Sequence, residues 1–118
     1  MHKMYISVAR DFSPHPGPRL IRQGKFSGEK FRKVLVAALS TAERVTVDLD
    51  GTTGFGSSFL EEAFGGLIRC EGMSREEVER RVIVKSDQDA SYKTEVAEAI
   101  RDARPEAVAL KTNDRAYA

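Results

Sequence analysis

The chain has no tryptophan, a single cysteine and only two histidines in 118 residues. Cys70 alone cannot close an internal disulfide, and His2 and His15 lack the neighbours that a metal site needs. Neither histidine has a nucleophile beside it in the sequence, so no catalytic residue, metal or cofactor is expected and the chain reads as a non-enzyme. No run of about 18 apolar residues occurs, which leaves no membrane span. The start, MHKMYISV, lacks the apolar stretch and small-residue cleavage site of a signal peptide. A cytoplasmic protein is expected, with no membrane contact.

What is present suits one folded domain over residues 1–118, since 41% of residues are hydrophobic and 31% charged. The net charge of +1 conceals an asymmetry. Residues 1–40 carry eight Lys/Arg against two acids, and residues 41–118 carry eleven against sixteen, which is +6 against −5. Either the two halves complement each other in one fold, or the basic third is a nucleic-acid surface. Only Phe26 and Phe31 are interleaved with its charges, so nucleic acid is the weaker expectation.

Met4–Val8 alternates and is β-rich, which suits a first strand. The stretch DFSPHPGPRL then excludes helix and demands turns, and Leu20 and Ile21 form a candidate second short strand ended by Gly24. These parts make residues 1–26 an N-terminal strand region with a proline-rich loop. Ser27 is a candidate N-cap for a helix over Gly28–Ser40, with Phe31, Val34, Leu35, Ala38 and Leu39 at helical spacing.

Val45, Val47 and Leu49 alternate with Thr46, Asp48 and Asp50 in the next strand. After a glycine-rich turn, Ser58 with Glu61 fits the capping box at the start of the following helix. Phe59, Leu60, Ala63, Phe64, Leu67, Ile68 and Cys70 share one side of that helix, and Glu61, Glu62, Gly65, Gly66 and Arg69 the other. Cys70 is thus expected to be a buried structural thiol. Ser74 with Glu77 opens the short charged helix REEVERR, and RVIVK is expected to be a central strand. SDQD caps a last helix over Ala90–Ala103, ended by Pro105. Ala107–Lys111 is a candidate edge strand, and residues 112–118 read as a flexible tail. Strands alternating with helices imply an α/β fold with a mostly parallel or mixed sheet of about four strands.

The segment GTTGFGSS places three glycines and four hydroxyls between a strand end and a helix start, the edge where α/β folds bind ligands. It is neither a P-loop nor GxGxxG. A serine there has two readings. Ser58 is a cap and Ser57 a turn residue, or one of them is a phosphorylation switch, because phosphate brings about −1.5 to −2 charges to a helix N-terminus. Gly65 lies within the polar side, where a helical glycine costs about 1 kcal/mol relative to alanine. It is either a flat spot where another chain's backbone approaches, or the point where the helix bends or ends.

The strings SGEKFRKVL and VDLDGTTGFGSSFLEEAFGGLI resemble the STAS-like family of domains without an assigned function and, more distantly, the STAS domains of anti-sigma-factor antagonists. The closer resemblance covers Ser27 to Ile68. In the antagonists an Asp-Ser-Ser-Gly motif opens the helix, and its serine or threonine is phosphorylated by an ATPase-type kinase that is also the binding partner. That motif falls here on Gly56, Ser57, Ser58 and Phe59, with Ser58 at the phosphoacceptor position. Both serines match, while Gly56 and Phe59 depart from the pattern.

The resemblance implies a STAS-like α/β domain acting as a non-catalytic, partner-switching module in signalling, either a monomer or a homodimer. Its implied partner is a signalling protein such as a histidine-kinase-like ATPase. The expected docking surface comprises Gly54, Gly56, Ser57, Ser58, Glu61, Glu62, Gly65 and Arg69. Two rival expectations are a small-ligand or nucleotide site in the glycine-rich turn and a nucleic-acid accessory domain.

Overall fold

The computed structural model describes residues 2–106. Three strands, β1 (Lys3–Ser7), β2 (Arg44–Asp48) and β3 (Val82–Lys85), form a parallel sheet in the order β1-β2-β3. Register runs across all three, with Tyr5 beside Thr46 and Thr46 beside Ile83. The expected α/β class holds, with three strands among the described residues rather than about four. The strand proposed for Ala107–Lys111 and the tail 112–118 lie outside the described residues.

Helix α1 (Gly28–Leu39) starts where the Ser27 hydroxyl accepts the Lys30 N–H at 3.0 Å. The segments Ser57–Leu60, Glu61–Gly65 and Gly66–Arg69 join end to end as one helix, α2. Its middle segment is a widened π turn, in which the Gly66 N–H returns five residues to the Glu61 carbonyl. Helix α3 (Arg75–Arg81) is capped by Ser74, and α4 (Ala90–Asp102) by Asp89.

The apolar sides of these helices meet one side of the sheet. Ile6, Val45, Val47 and Val82 join Phe31 and Leu35 of α1, Phe59, Phe64 and Leu67 of α2, Val78 of α3, and Val96 and Ile100 of α4 in one buried cluster. Full burial of a phenylalanine such as Phe59 or Phe64 contributes about 1.5–3 kcal/mol. A π-helical turn, Val8–Phe12, follows β1 and takes in Asp11 and Phe12, where helix was not expected; the prolines begin only at Pro14, beyond its end. It adds Phe12, whose ring meets Phe26 and Phe31 edge-on at 5.6 and 5.2 Å.

Four further local expectations are corrected. The proposed short strand at Leu20–Ile21 is a 3-10 turn (Ile21–Gln23), because the Gln23 side chain accepts the Leu20 N–H and its own N–H returns to the Leu20 carbonyl. Those bonds occupy groups that a ladder would need. Among the described residues β3 is an edge strand and β2 the centre, and half of the VIVK run faces away from the core with Ile83 exposed.

The capping box at Ser58 does not form: the extended residue before the helix is Gly56, which places Ser57 and Ser58 inside the first turn. Cys70 is half-buried beside Glu106 rather than enclosed, because α2 ends at Arg69 and the side chain lies at its fraying end.

Candidate functional site

The turn from Leu49 to Gly56 sits at the C-terminal edge of the sheet and is tied to three other segments. The Asp50 carboxylate accepts the Lys85 ammonium at 3.0 Å and the main-chain N–H groups of Asp87 and Gln88. The Gln88 N–H and then Lys85 hold its carboxyl below the usual aspartate range. The Gly51 N–H donates to Gln88 Oε1, Thr53 N–H to the Pro14 carbonyl, and Phe55 N–H to the Tyr92 hydroxyl. Gly54 has φ 134°, a conformation that side chains resist, and a Cβ there would lie 3.1 Å from Tyr92 Oη. The turn is therefore a fixed platform.

From this platform Ser57 and Ser58 project, both exposed. Gly56 supplies no side-chain cap, so the first N–H groups of α2 have no side-chain acceptor from it. The Ser57 hydroxyl donates to Glu95 Oε1 of α4 at 2.9 Å. It thereby closes one end of an open groove of about 430 Å³ between α2 and α4, lined also by Glu61, Arg69, Glu98 and Asp102.

The remaining residues of the expected docking face serve a different purpose. Glu62 and Gly65 are buried, and Glu61 and Arg69 half-buried. Arg32, which is 6% exposed, reaches across from α1 to Glu62 Oε2 at 2.6 Å and to the Glu62 carbonyl at 3.0 Å. Its Nε meets Glu71 at 2.9 Å. Arg19 bridges Glu61 and Glu62 from the N-terminal loop, and Arg69 bridges the same pair from about two turns further along α2.

Burial works to raise the Glu62 carboxyl, but hydrogen bonds from Arg32 and Arg19 outweigh it and the net shift is downward. Glu61 shifts downward in the same way, burial being overcome by Arg69 and Arg19.

Gly65 faces α4. A Cβ there would lie 3.2 Å from the Ala99 carbonyl and 2.8 Å from Glu61 Oε2. The backbone that approaches this glycine is thus the chain's own, which corrects the expectation that Gly65 and Glu62 offer a flat surface to another molecule. At Gly66 a Cβ would meet Arg32 Nη1 at 2.5 Å, so the missing side chains make room for the ion cluster and for α4. The turn Gly54, Gly56, Ser57 and Ser58 stays accessible as a surface, with Glu61 and Arg69 at its groove-side border.

Sequence reasoning missed Arg32 and Glu95. Arg32 left a signal: Gly28, Arg32, Leu35 and Leu39 follow helical spacing, which sets one arginine within the apolar stripe of α1. Glu95 left none, because its meeting with Ser57 spans 38 residues.

Among the described residues no group of three or more His, Cys, Asp or Glu is placed to hold a metal ion. No helix among them is long and apolar enough to cross a membrane. Burial raises the Cys70 thiol above its ordinary value, which leaves it less thiolate than a free cysteine.

A family model described as STAS-like domain of unknown function (DUF4325) matches residues 27–92. The match takes in α1, β2, α2, α3, β3 and the first residues of α4, and the chain belongs to that family. No curated protein and no solved structure matches it.

Proposed function

We propose that this STAS-like domain is a regulatory protein–protein interaction module whose docking surface is the turn Gly54, Gly56, Ser57 and Ser58, bordered by Glu61 and Arg69. The observation that carries this reading is the uncapped start of α2, where two exposed serines stand on a turn pinned by Asp50, Gln88 and Tyr92. A rigid, exposed, hydroxyl-bearing edge suits recognition by another protein. Phosphate on Ser58 would meet the positive end of the α2 dipole and alter the surface seen by a partner. Phosphate on Ser57 would also confront Glu95.

The partner class proposed is a signalling protein of the histidine-kinase-like ATPase type, in keeping with the distant likeness to anti-sigma-factor antagonists. A nucleotide fits the same edge less well. The cavity beside the turn is about 120 Å³ and is lined by Asp50 and Asp89, too small and too acidic for a phosphate-bearing ligand whose pockets run from about 300 Å³ upward. The larger α2–α4 groove sets Glu61, Glu95, Glu98 and Asp102 against Arg69 and Arg104, a net negative lining that disfavours phosphate.

The test is calorimetric titration of a histidine-kinase-like ATPase from the same genome with the wild-type chain and with Ser58→Asp. Binding by the wild type, weakened about tenfold or more in the variant, is expected. Equal binding by both contradicts a switch at Ser58.

A further inference from the structure

Parallel sheets are almost always covered on both faces, because their crossover connections lay helices over them. Here the helices among the described residues gather on one face. Ile6, Val45, Val47 and Val82 point into the core, while the alternate residues point away from it. The central row of that second face is Tyr5, Thr46 and Ile83, adjacent in register. Tyr5 is 49% and Ile83 41% exposed, and no helix among the described residues lies over them; the Tyr5 hydroxyl donates to the Asp48 carboxylate beside it.

The charges on this face are segregated along the strands. At the N-terminal end Lys3 and Arg44 pair in register, with no acidic side chain within 4 Å among the described residues. At the C-terminal end Asp48, Asp50 and Asp87 surround Lys85 at 3.8, 3.0 and 3.1 Å. Three carboxylates against one ammonium leave this end net negative. The row Tyr5, Thr46 and Ile83 lies between a basic end and an acidic end.

We propose that this open face is the interface of a two-fold homodimer. A face with opposite charges at its two ends is complementary to itself when one copy is turned end for end. A two-fold axis lying between the sheets and running across the strands gives that arrangement. Tyr5 then faces the partner's Tyr5 and Ile83 the partner's Ile83. Arg44 lies over the acidic end of the opposite sheet. An axis parallel to the strands would instead bring like ends together, so the charge pattern selects the antiparallel stack.

Strands about 4.8 Å apart and about 3.3 Å per residue give a face of only some 200 Å² in projection. That is well below the roughly 800 Å² per partner of a standard interface, so the dimer is weak and dissociates on dilution.

Sedimentation equilibrium of the full chain over a concentration series tests the proposal, with circular dichroism to check each fold. A concentration-dependent dimer is expected in the wild type. Ile83→Asp, at an exposed position, should abolish it while leaving the melting curve in place. Arg44→Glu and Asp87→Arg should each weaken association about tenfold, and the two together should restore most of it, because each reversed charge again meets its opposite.

A chain monomeric to about millimolar concentration overturns the proposal, since even weak specific association appears there. So does a dimer unmoved by Ile83→Asp. Failure of the double reversal to regain what the single reversals lose overturns the antiparallel arrangement.

Discussion

Arg32 of α1 grips Glu62 of α2 twice, at its carboxylate (2.6 Å) and at its main-chain carbonyl (3.0 Å). The second contact falls within the widened turn of α2, so the pair ties the irregular part of that helix to α1. Removing either member leaves a buried charge with fewer partners. Glu62→Ala and Arg32→Ala are each expected to destabilise by about 3 kcal/mol. Urea unfolding gives the values, and the double variant should cost less than the sum because the two losses are shared.

The same cluster predicts a pH dependence. Glu61 and Glu62 have carboxyls held below their ordinary range in the folded chain. Between the unfolded value of about 4.3 and the lower folded values, the unfolded chain binds more protons, so acid favours unfolding. Stability from these two groups is complete above that range and is lost as pH falls through the folded values. Thermal melts from neutral to strongly acid pH should show this loss, and Glu62→Gln should reduce its depth.

Gly65→Ala inverts the usual helix rule. Alanine gains about 1 kcal/mol of helix propensity over glycine, but its Cβ would press on the Ala99 carbonyl and the Glu61 carboxylate. A net loss of about 1–2 kcal/mol is expected, read from denaturant midpoints. A stabilised variant would show that α4 moves aside freely.

The two serines are distinguishable by the same means. Ser57→Asp sets a carboxylate against Glu95 and is expected to cost about 0.5–1 kcal/mol, while Ser58→Asp lies free at a helix N-terminus and should be neutral or slightly stabilising. Differential scanning calorimetry of both variants checks the order. Equal effects would mean that the Ser57–Glu95 contact carries no weight.

Legibility in the sequence followed the range of the interaction. Ser27, Ser74 and Asp89 announced helix starts because a cap is settled within three residues. The alternation at Val45 and Val47 likewise located β2. The helical wheel of α2 failed for Glu62, Gly65 and Gly66, because a wheel assumes that a polar side meets water.

Here that side meets α1 and α4, and its acids are neutralised by Arg19 and Arg32 from distant segments together with Arg69 of α2 itself. The widened turn also shifts the register on which the wheel depends. Gly56 displaced Ser58 as N-cap although the serine–glutamate spacing was present. Backbone conformation at Gly56, set by the pinned turn, decided the boundary. The turn itself was placed correctly as the edge between β2 and α2, but its ties to Pro14, Gln88 and Tyr92 join residues some 40 positions apart and left no local trace.

The proposed role rests on the serines at the start of α2 being the regulated surface. Intact-mass measurement of the chain after incubation with ATP and lysate of its own cells tests that most directly, with Ser57→Ala and Ser58→Ala alongside. The mass of one phosphate is expected on the wild type, with its loss in Ser58→Ala, or in Ser57→Ala if the kinase selects that hydroxyl. A wild-type chain that gains no phosphate, or gains it equally in both variants, contradicts it.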